Sequence, residues 1–173
     1  MKKILFALLG SMLFVTPALA DTAIGMVNVA KILHDSKAAT SIRAQVQAKQ
    51  KDFQAQLDSK GKELQSEQQA LVKQKDAIDK DAFNKKVQEF RQKEATAQKN
   101  VQEKSVQLDK SVNDALGEVQ KVINDIVKDV ATEKKMTLVV SAGIVLYGDS
   151  SLDITDEVLK RLDSKLTTVP VKF

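Results

Sequence analysis

The side chains of this sequence that are able to do chemistry are few and scattered. The chain has a single histidine, His34, and no cysteine. No nucleophile or second metal-ligating residue lies at a spacing that would form a catalytic pair or a metal site with His34. We therefore interpret His34 as a solvated or locally hydrogen-bonded residue, and we expect a protein that is not an enzyme.

Three aspartates near the C-terminus come closest to the pattern of a metal site. Asp149, Asp153 and Asp156 lack the alternating carboxylates and the final bidentate glutamate of a calcium-binding loop. Roles in turns and helix caps explain these carboxylates better. Three glycines outside the long helical region form no phosphate-binding motif: Gly25, Gly143 and Gly148. We expect neither a metal nor a cofactor.

The first twenty residues have the composition of an export signal. Lys2 and Lys3 precede an apolar run, residues 4–15, which is followed by the small-x-small motif at residues 18–20. The run is shorter than the ~20 residues that span a bilayer. We predict a signal peptide at residues 1–20 that is cleaved between Ala20 and Asp21, leaving a soluble, exported chain.

Residues 36–135 have helical periodicity throughout and contain no proline. In the second half of this region the apolar seam is clean near the base and becomes polar outward. Asp79 or Asp81 could cap a second helix after a polar break. We therefore predict an antiparallel helical hairpin arm that turns near residue 79, with a firm root, a loosely held tip and a length on the order of 60 Å.

Pairing about that turn makes specific predictions for the facing residues of the two helices. Apolar residues come level with each other, as for Leu57 and Val101. Two glycines come level with small residues: Gly61 with Ala97, and Gly117 with Ser41. We interpret Gly117 as a point of close helix contact, and Gly61 as either a contact point or a soft joint.

The two ends, residues 21–35 and 136–173, are typical of a small β-rich body. We predict strands at 24–29, 136–141 and 144–147, with Tyr147 in the core or an interface, and a terminal helix capped by Thr155. A body of this size without disulfides seldom folds alone. We therefore predict an α+β fold, in which the small β-body forms by oligomerisation and each protomer carries one long antiparallel α-helical hairpin.

The formal net charge is +4, and the excess of basic residues lies on the helices. Basic residues concentrate near the predicted tip: Lys73, Lys75, Lys80, Lys85, Lys86, Arg91 and Lys93. They are either a solvated face balanced by neighbouring carboxylates or an attractor for anionic lipid headgroups, lipopolysaccharide or acidic proteins. Charges of both signs alternate along the helices, so we expect no physiological nucleic-acid partner. Three aromatic residues are candidate apolar contacts: Phe53, Phe83 and Phe90.

Several local runs resemble the OmpH/Skp family of periplasmic chaperones. The sharpest are IGMVN at residues 24–28, LVV at 138–140, DIT at 153–155 and VLK at 158–160. The resemblance covers nearly the whole mature chain, and the helical arms are similar in length and character more than in residue identity.

The resemblance implies a periplasmic homotrimer, with a β-body and coiled-coil-like hairpins that enclose unfolded outer-membrane proteins. It also implies a holdase that uses no ATP and prevents aggregation during outer-membrane protein assembly. The alternative is a structural or adaptor coiled coil of the cell envelope that binds one specific partner through the hairpin. Binding of several unrelated unfolded membrane proteins would distinguish the chaperone from the adaptor.

Overall fold

The computed structural model describes residues 23–173. The predicted signal peptide and its cleavage site at Ala20 and Asp21 lie outside the described residues. The elements follow in the order β1 (Ala23–Val27), α1 (Val29–Asp35), α2 (Lys37–Gln74), α3 (Lys80–Glu133), β2 (Met136–Ser141) and α4 (Thr155–Lys165). Single 3-10 turns at Ala142–Ile144 and Ser150–Leu152 connect β2 to α4.

Helices α2 and α3 form one long antiparallel hairpin. They contain 38 and 54 residues, which corresponds to about 55 and 80 Å of helix. The chain reverses between Gln74 and Lys80. The Asp79 carboxylate accepts hydrogen bonds from the backbone N–H groups of Asp81 and Ala82, each at 3.0 Å, so Asp79 is the residue that caps α3. The predicted fold class, a small sheet with a long helical hairpin, is confirmed.

The hydrophobic core lies at the root of the hairpin, where α1, α4 and the lower parts of α2 and α3 meet. We call it the root core: Val27, Ile32, Ala38, Ile42, Ala115, Val119, Ile123, Ile126, Val130, Ile154, Val158, Leu162, Val169 and Val171. Beyond Ser111 towards the turn, Phe90 is the one buried residue of the described arm. The burial confirms the predicted gradient from an apolar root to a polar arm. The core of the body is mainly helical, however, and not β-rich as we expected.

The two strands pair in parallel, with Ile24 opposite Leu138 and Met26 opposite Val140. The Met26 carbonyl also accepts a hydrogen bond from the backbone N–H of Ile154 at 2.9 Å. Next to it, the backbone N–H of Asn28 donates to the Thr155 hydroxyl at 2.8 Å. The runs that carry the family resemblance are far apart in sequence, and here they meet in one cluster that joins the sheet to the start of α4.

The predicted third strand at residues 144–147 is wrong. Ala142–Ile144 forms a 3-10 turn, closed by a hydrogen bond from the backbone N–H of Val145 to the Ala142 carbonyl at 3.3 Å. The edge of β1 that faces away from β2 is bridged at Met26 by Asp153. Residues 144–147 pair with neither strand of the described chain. The apolar composition of 144–147 therefore has another cause than pairing inside this chain, and Tyr147, 91% exposed, is not a core residue.

Two predicted element ends are also wrong, and capping side chains explain both. The first strand stops at Val27 because the Asn28 side chain accepts a hydrogen bond from the Lys31 N–H at 2.9 Å and starts α1. Thr155 is the first residue of α4 and not its cap. Its backbone N–H donates to the Asp153 carboxylate at 2.8 Å, while its hydroxyl oxygen accepts the hydrogen bond from the Asn28 N–H.

The predicted close contacts at the arm glycines are not present. A Cβ atom placed on Gly61 or Gly117 would meet no heavy atom of a neighbouring element within 4 Å. The two glycines of the body that do pack closely are Gly25 and Gly148. Each would place a Cβ atom 2.6 Å from a methionine sulfur, that of Met136 for Gly25 and that of Met26 for Gly148. Absence of a side chain at these positions makes room for the thioethers.

Ion pairs fasten α4 to the end of α3. The Arg161 guanidinium donates two hydrogen bonds to the Glu133 carboxylate, at 2.7 and 2.6 Å, and one to Glu157 at 2.6 Å. Lys134 pairs with Glu157 at 3.0 Å. The hydrogen bond from Arg161 lowers the pKa of Glu133, and the hydrogen bond from Lys134, followed by that from Arg161, lowers the pKa of Glu157. These carboxylates stabilise the fold in their charged form.

We predict that Leu162→Ala lowers the free energy of unfolding by about 2–5 kcal/mol, because it removes a fully buried side chain and leaves a cavity in the root core. Leu159→Ala on the same helix is the matched control. Leu159 is only partly buried, so its loss should cost clearly less. Urea unfolding followed by circular dichroism at one protein concentration measures both, and equal losses would contradict the position of the root core.

We predict that acid weakens the attachment of α4 through the Arg161 pairs. Because the pKa values of Glu133 and Glu157 lie below their ordinary value of 4.5 in the folded chain, their stabilisation is present above 4.5 and is lost as the pH falls through the lowered values. The melting temperature of the native protein should therefore fall more steeply on acidification than that of Arg161→Gln. Lys160→Gln removes the same charge at an exposed neighbouring position and should keep the native slope.

Candidate functional site

A long groove separates the two helices in the middle of the arm. Its volume is about 1020 Å³. We call it the arm groove, and it is lined by Phe53, Gln56, Leu57, Lys60, Gly61 and Leu64 of α2 and by Glu89, Gln92, Lys93, Thr96, Ala97, Gln98, Asn100, Val101, Lys104, Ser105 and Leu108 of α3. The residues predicted to face each other, Leu57 with Val101 and Gly61 with Ala97, all line it, but the helices leave space between them.

The walls of the arm groove present apolar side chains to solvent. Leu57 is 40% exposed and Val101 is 41% exposed, although both lie on the faces that α2 and α3 turn towards each other. Gly61 leaves the backbone of α2 uncovered at the same level, since nothing packs against it within 4 Å. Apolar surface that the chain does not bury itself is available to a ligand.

Long polar side chains bridge the two helices across the hairpin. Lys86 donates to Gln74 at 2.8 Å, and Lys93 donates to Glu67 at 2.6 Å. Lys104 donates to Gln56 in the same way. In each pair the two residues lie equally far from Lys80 along the chain, so one register holds over the whole arm. The hydrogen bond from Lys93 to Glu67 raises the pKa of Lys93, and its ammonium group is thus charged and engaged.

Phe53 is the centre of a cationic and aromatic cluster at the lower end of the arm groove. The Lys49 and Lys104 ammonium groups lie 5.0 and 5.1 Å from the centroid of its ring. Lys49 also lies 5.5 Å from the ring of Phe173, the last residue of the chain. Ammonium groups at these distances are attracted to the negative faces of the rings.

The structure separates the predicted aromatic contacts. Phe53 and Phe83 are half-buried and remain accessible. Phe90 is only 7% exposed, so the expectation that it offers an open contact surface is wrong. Phe90 is instead a packing residue of the arm.

The predicted basic residues fall into two groups. Lys86 and Lys93 are engaged with α2 by the bonds described above. The others lie exposed around the turn or on the neighbouring part of α3, with no carboxylate oxygen within 4 Å in the described chain: Lys73, Lys75, Lys80, Lys85 and Arg91. The structure brings most of them to the end of the arm, and it does not gather them into one pocket.

A second set of exposed apolar side chains belongs to the body. We call it the body patch, and it consists of Ile24, Leu138, Ile144, Leu146 and Tyr147. Ile24 and Leu138 are neighbours in the sheet, and the other three follow β2 in sequence. Leu146 is fully exposed in the single chain, an unusual position for a large apolar side chain in a soluble domain.

The remaining candidates from the sequence have local partners. The His34 ring nitrogen Nδ1 lies 2.7 Å from the carboxylate of its neighbour Asp35. Asp149 accepts a hydrogen bond from the Ser151 N–H at 2.8 Å. The hydrogen bond from the Ser151 hydroxyl, followed by this backbone one, lowers the pKa of Asp149. Asp156 pairs with Lys31 at 2.7 Å. Turn and pairing roles thus account for these carboxylates, and residues 23–173 hold no cluster of three side chains suited to a metal ion.

The sequence analysis missed the C-terminal tail, residues 167–173. Val169 and Val171 are 2% and 8% exposed and belong to the root core. The Gln45 side chain of α2 donates to the Val169 carbonyl at 2.8 Å and accepts from the Val171 N–H at 3.0 Å. From α3, the Ser111 hydroxyl donates to the Lys172 carbonyl. The alternation of Val169, Val171 and Phe173 was the available signal in the sequence.

Among the helices within residues 23–173, none combines the length and the apolar composition that crossing a membrane requires. The surfaces that remain for binding are the arm groove, the end of the arm and the body patch.

Comparisons with known proteins agree with this architecture. The family model described as outer membrane protein (OmpH-like) matches residues 23–162. The chaperone protein Skp of Salmonella typhimurium is 30% identical over 167 residues, which cover 94% of this chain and 99% of the relative. An uncharacterised protein of Aquifex aeolicus is 31% identical over 144 residues, 79% of this chain and 83% of that protein.

A solved structure has the same fold. The crystal structure of a protein described as an OmpH-like outer membrane chaperone, from Caulobacter crescentus, superimposes with a TM-score of 0.81 over 90% of each chain, at 21% identity. Family match, relatives and fold agree with one another and support a chaperone role. The chain belongs to the OmpH/Skp family, the OmpH-like outer membrane proteins.

Proposed function

We propose that this protein is an ATP-independent periplasmic holdase, which binds unfolded outer-membrane proteins and prevents their aggregation. The observation that carries the proposal is the arm groove, because its apolar wall residues remain exposed to solvent in the middle of the arm. Unfolded β-barrel precursors expose alternating apolar side chains that would otherwise associate in water. Many weak and non-directional contacts to such walls hold a client without selecting one sequence.

The body patch supports self-association, and with the family resemblance it leads us to propose a homotrimer. Large apolar side chains this exposed often mark an interface, and the outer edge of β2 has no strand partner within residues 23–173. Joining the bodies of several copies would bury the patch and place the arms side by side around a cavity. The segment 144–147, which finds no strand partner inside its own chain, then has a function between chains.

The exposed basic residues around the turn support an electrostatic role. Their attraction extends over about 8 Å at physiological salt, so they concentrate acidic clients, anionic lipid headgroups or lipopolysaccharide at the open end of the arms. Dispersed charges of this kind raise the rate of encounter and do not define a fixed pocket.

The rival function is an envelope adaptor that binds one folded partner through the same helices. The exposed groove favours the chaperone, because a surface dedicated to one partner needs a compact, well-packed centre and not an open cleft. The two functions differ in a simple assay: the chaperone suppresses aggregation of several unrelated urea-denatured barrels diluted into buffer without nucleotide.

We predict that Leu57→Gln/Val101→Gln weakens this suppression by roughly tenfold in the concentration required, because two apolar walls of the arm groove become polar. Light scattering after dilution of a denatured barrel measures it. Val106→Gln is the matched control, since Val106 is an exposed valine of α3 that does not line the groove. An unchanged double variant, or an equal loss in Val106→Gln, would show that clients do not use the groove.

We predict that Leu146→Asp/Tyr147→Asp lowers the mass of the assembly to that of a monomer in sedimentation velocity at micromolar concentration. Both side chains are exposed in the single chain, so the change should leave the fold of the protomer intact, as circular dichroism will report. Val106→Asp, an exposed apolar residue of the arm, should leave the mass unchanged. A native protein that already sediments as a monomer would refute the proposed trimer.

A further inference from the structure

The C-terminal tail lies on the root of the arm as an extended segment with alternating exposure. It forms neither helix nor sheet. Val169 and Val171 point into the root core, and Pro170 and Lys172 between and after them are exposed. An alternation of buried and exposed side chains is the pattern of a strand that binds by one face. The tail therefore resembles a bound peptide more than a connecting loop.

The groups that hold this segment recognise its backbone. The side-chain amide of Gln45 uses its N–H group for the Val169 carbonyl and its carbonyl for the Val171 N–H. The Ser111 hydroxyl donates to the Lys172 carbonyl. Contacts to main-chain groups are sequence-tolerant, because every extended segment presents the same donors and acceptors. The valines add only a requirement for an apolar side chain at alternate positions.

The site of the tail continues into the arm groove. Lys49 lies between the ring of Phe173 and the ring of Phe53, at 5.5 and 5.0 Å, and Phe53 lines the groove. On the other helix, Ser111 lies one turn from Leu108, which also lines the groove. The site of the tail and the arm groove thus lie along one path between α2 and α3. The tail occupies the end of this path that is nearer to the root core.

The tail also lies outside the region that the family model matches, which ends at Leu162. The match to the family model therefore says nothing about the position of the tail on the arm.

We propose that the root of the arm is a binding site for extended peptide segments with apolar side chains at alternate positions, and that the C-terminal tail is its intramolecular occupant. The inference rests on the proposed function in one respect, namely that the external ligand is an unfolded β-barrel precursor. Strands of such barrels alternate apolar and polar side chains in the same way. A precursor strand displaces the tail and extends along the arm groove.

Tethering makes the tail a selective competitor. It is attached to α4 and is therefore present at its site at an effective concentration in the millimolar range. A short apolar peptide at low concentration does not displace it, whereas a long client that also contacts the arm groove does. The tail keeps the site closed to short segments and opens it to clients with several strands.

The test uses the full chain carrying Val171→Asp. An aspartate at this buried position costs desolvation without a partner, so the tail should leave its site while Gln45 and Ser111 remain in place. The probe is a synthetic peptide with the sequence of residues 167–173 and a fluorophore at its N-terminus. We expect its anisotropy to show binding to Val171→Asp with an affinity on the order of tenfold or more above that for the native protein. Val106→Asp is the matched protein control and should behave like the native chain.

Two further comparisons define the site. Adding Gln45→Ala to Val171→Asp removes two hydrogen bonds to the peptide backbone. The affinity of the variant for the labelled peptide should fall on the order of tenfold. A peptide with Val169→Ser and Val171→Ser should not bind. Carboxypeptidase digestion of Phe173 reports whether the tail has left its site in Val171→Asp. A released tail without peptide binding overturns the proposal, and so does a tail that remains docked in spite of the buried aspartate.

Competition with an unlabelled peptide copied from a transmembrane strand of an outer-membrane barrel identifies the external ligand. Displacement of the labelled peptide supports the client class named above, and failure to displace it refutes that class. This outcome is separate from that of the aggregation assay. If the labelled peptide does not bind Val171→Asp while the native protein still suppresses aggregation, only the inference about the tail is refuted.

Discussion

The rest of this structure depends on the packing of one apolar face of α3 at the root of the hairpin. Val119, Ile123 and Ile126 are completely or almost completely buried there, and α1, α4, the start of α2 and the tail all pack in the same cluster. The same helix continues without interruption from this core to the turn at the end of the arm. The body and the arm therefore share one continuous helix, and the side chains buried at its root set the direction of the arm.

This arrangement lets the arm remain polar without unfolding. Most of the stability of helices in proteins comes from tertiary packing of an apolar face, and here that packing is concentrated at one end of the hairpin. Further out, bonds between long side chains, such as Lys93 with Glu67, hold the register while contributing little stability, since exposed ion pairs are worth at most about 1 kcal/mol. The helices can thus stand apart at the arm groove, and the apolar residues of its walls remain available for binding.

The sequence predicted the elements that depend on local and periodic signals. Helical spacing over residues 36–135 indicated the hairpin, and the polar break with Asp79 indicated its turn. The run at 144–147 was misassigned because apolar composition does not reveal whether the partner of a segment is its own chain or another surface. The arm groove was missed because the same spacing describes helices in contact and helices that stand apart, as Gly61 and Ala97 illustrate. The tail was missed because its contacts, from Gln45 to Val169 and Val171, join residues far apart in sequence.

The parallel pairing of β1 and β2 has a consequence for the order of folding. Ala23 has its partner at Met136, so the sheet closes only after nearly the whole polypeptide is present. Contacts this distant in sequence are slow to form through a flexible loop. The hairpin removes that obstacle, because its antiparallel helices form from nearby contacts and bring the two ends of the body together. During synthesis, β1 is thus the first element of the body to be made, and it has no strand partner until β2 follows.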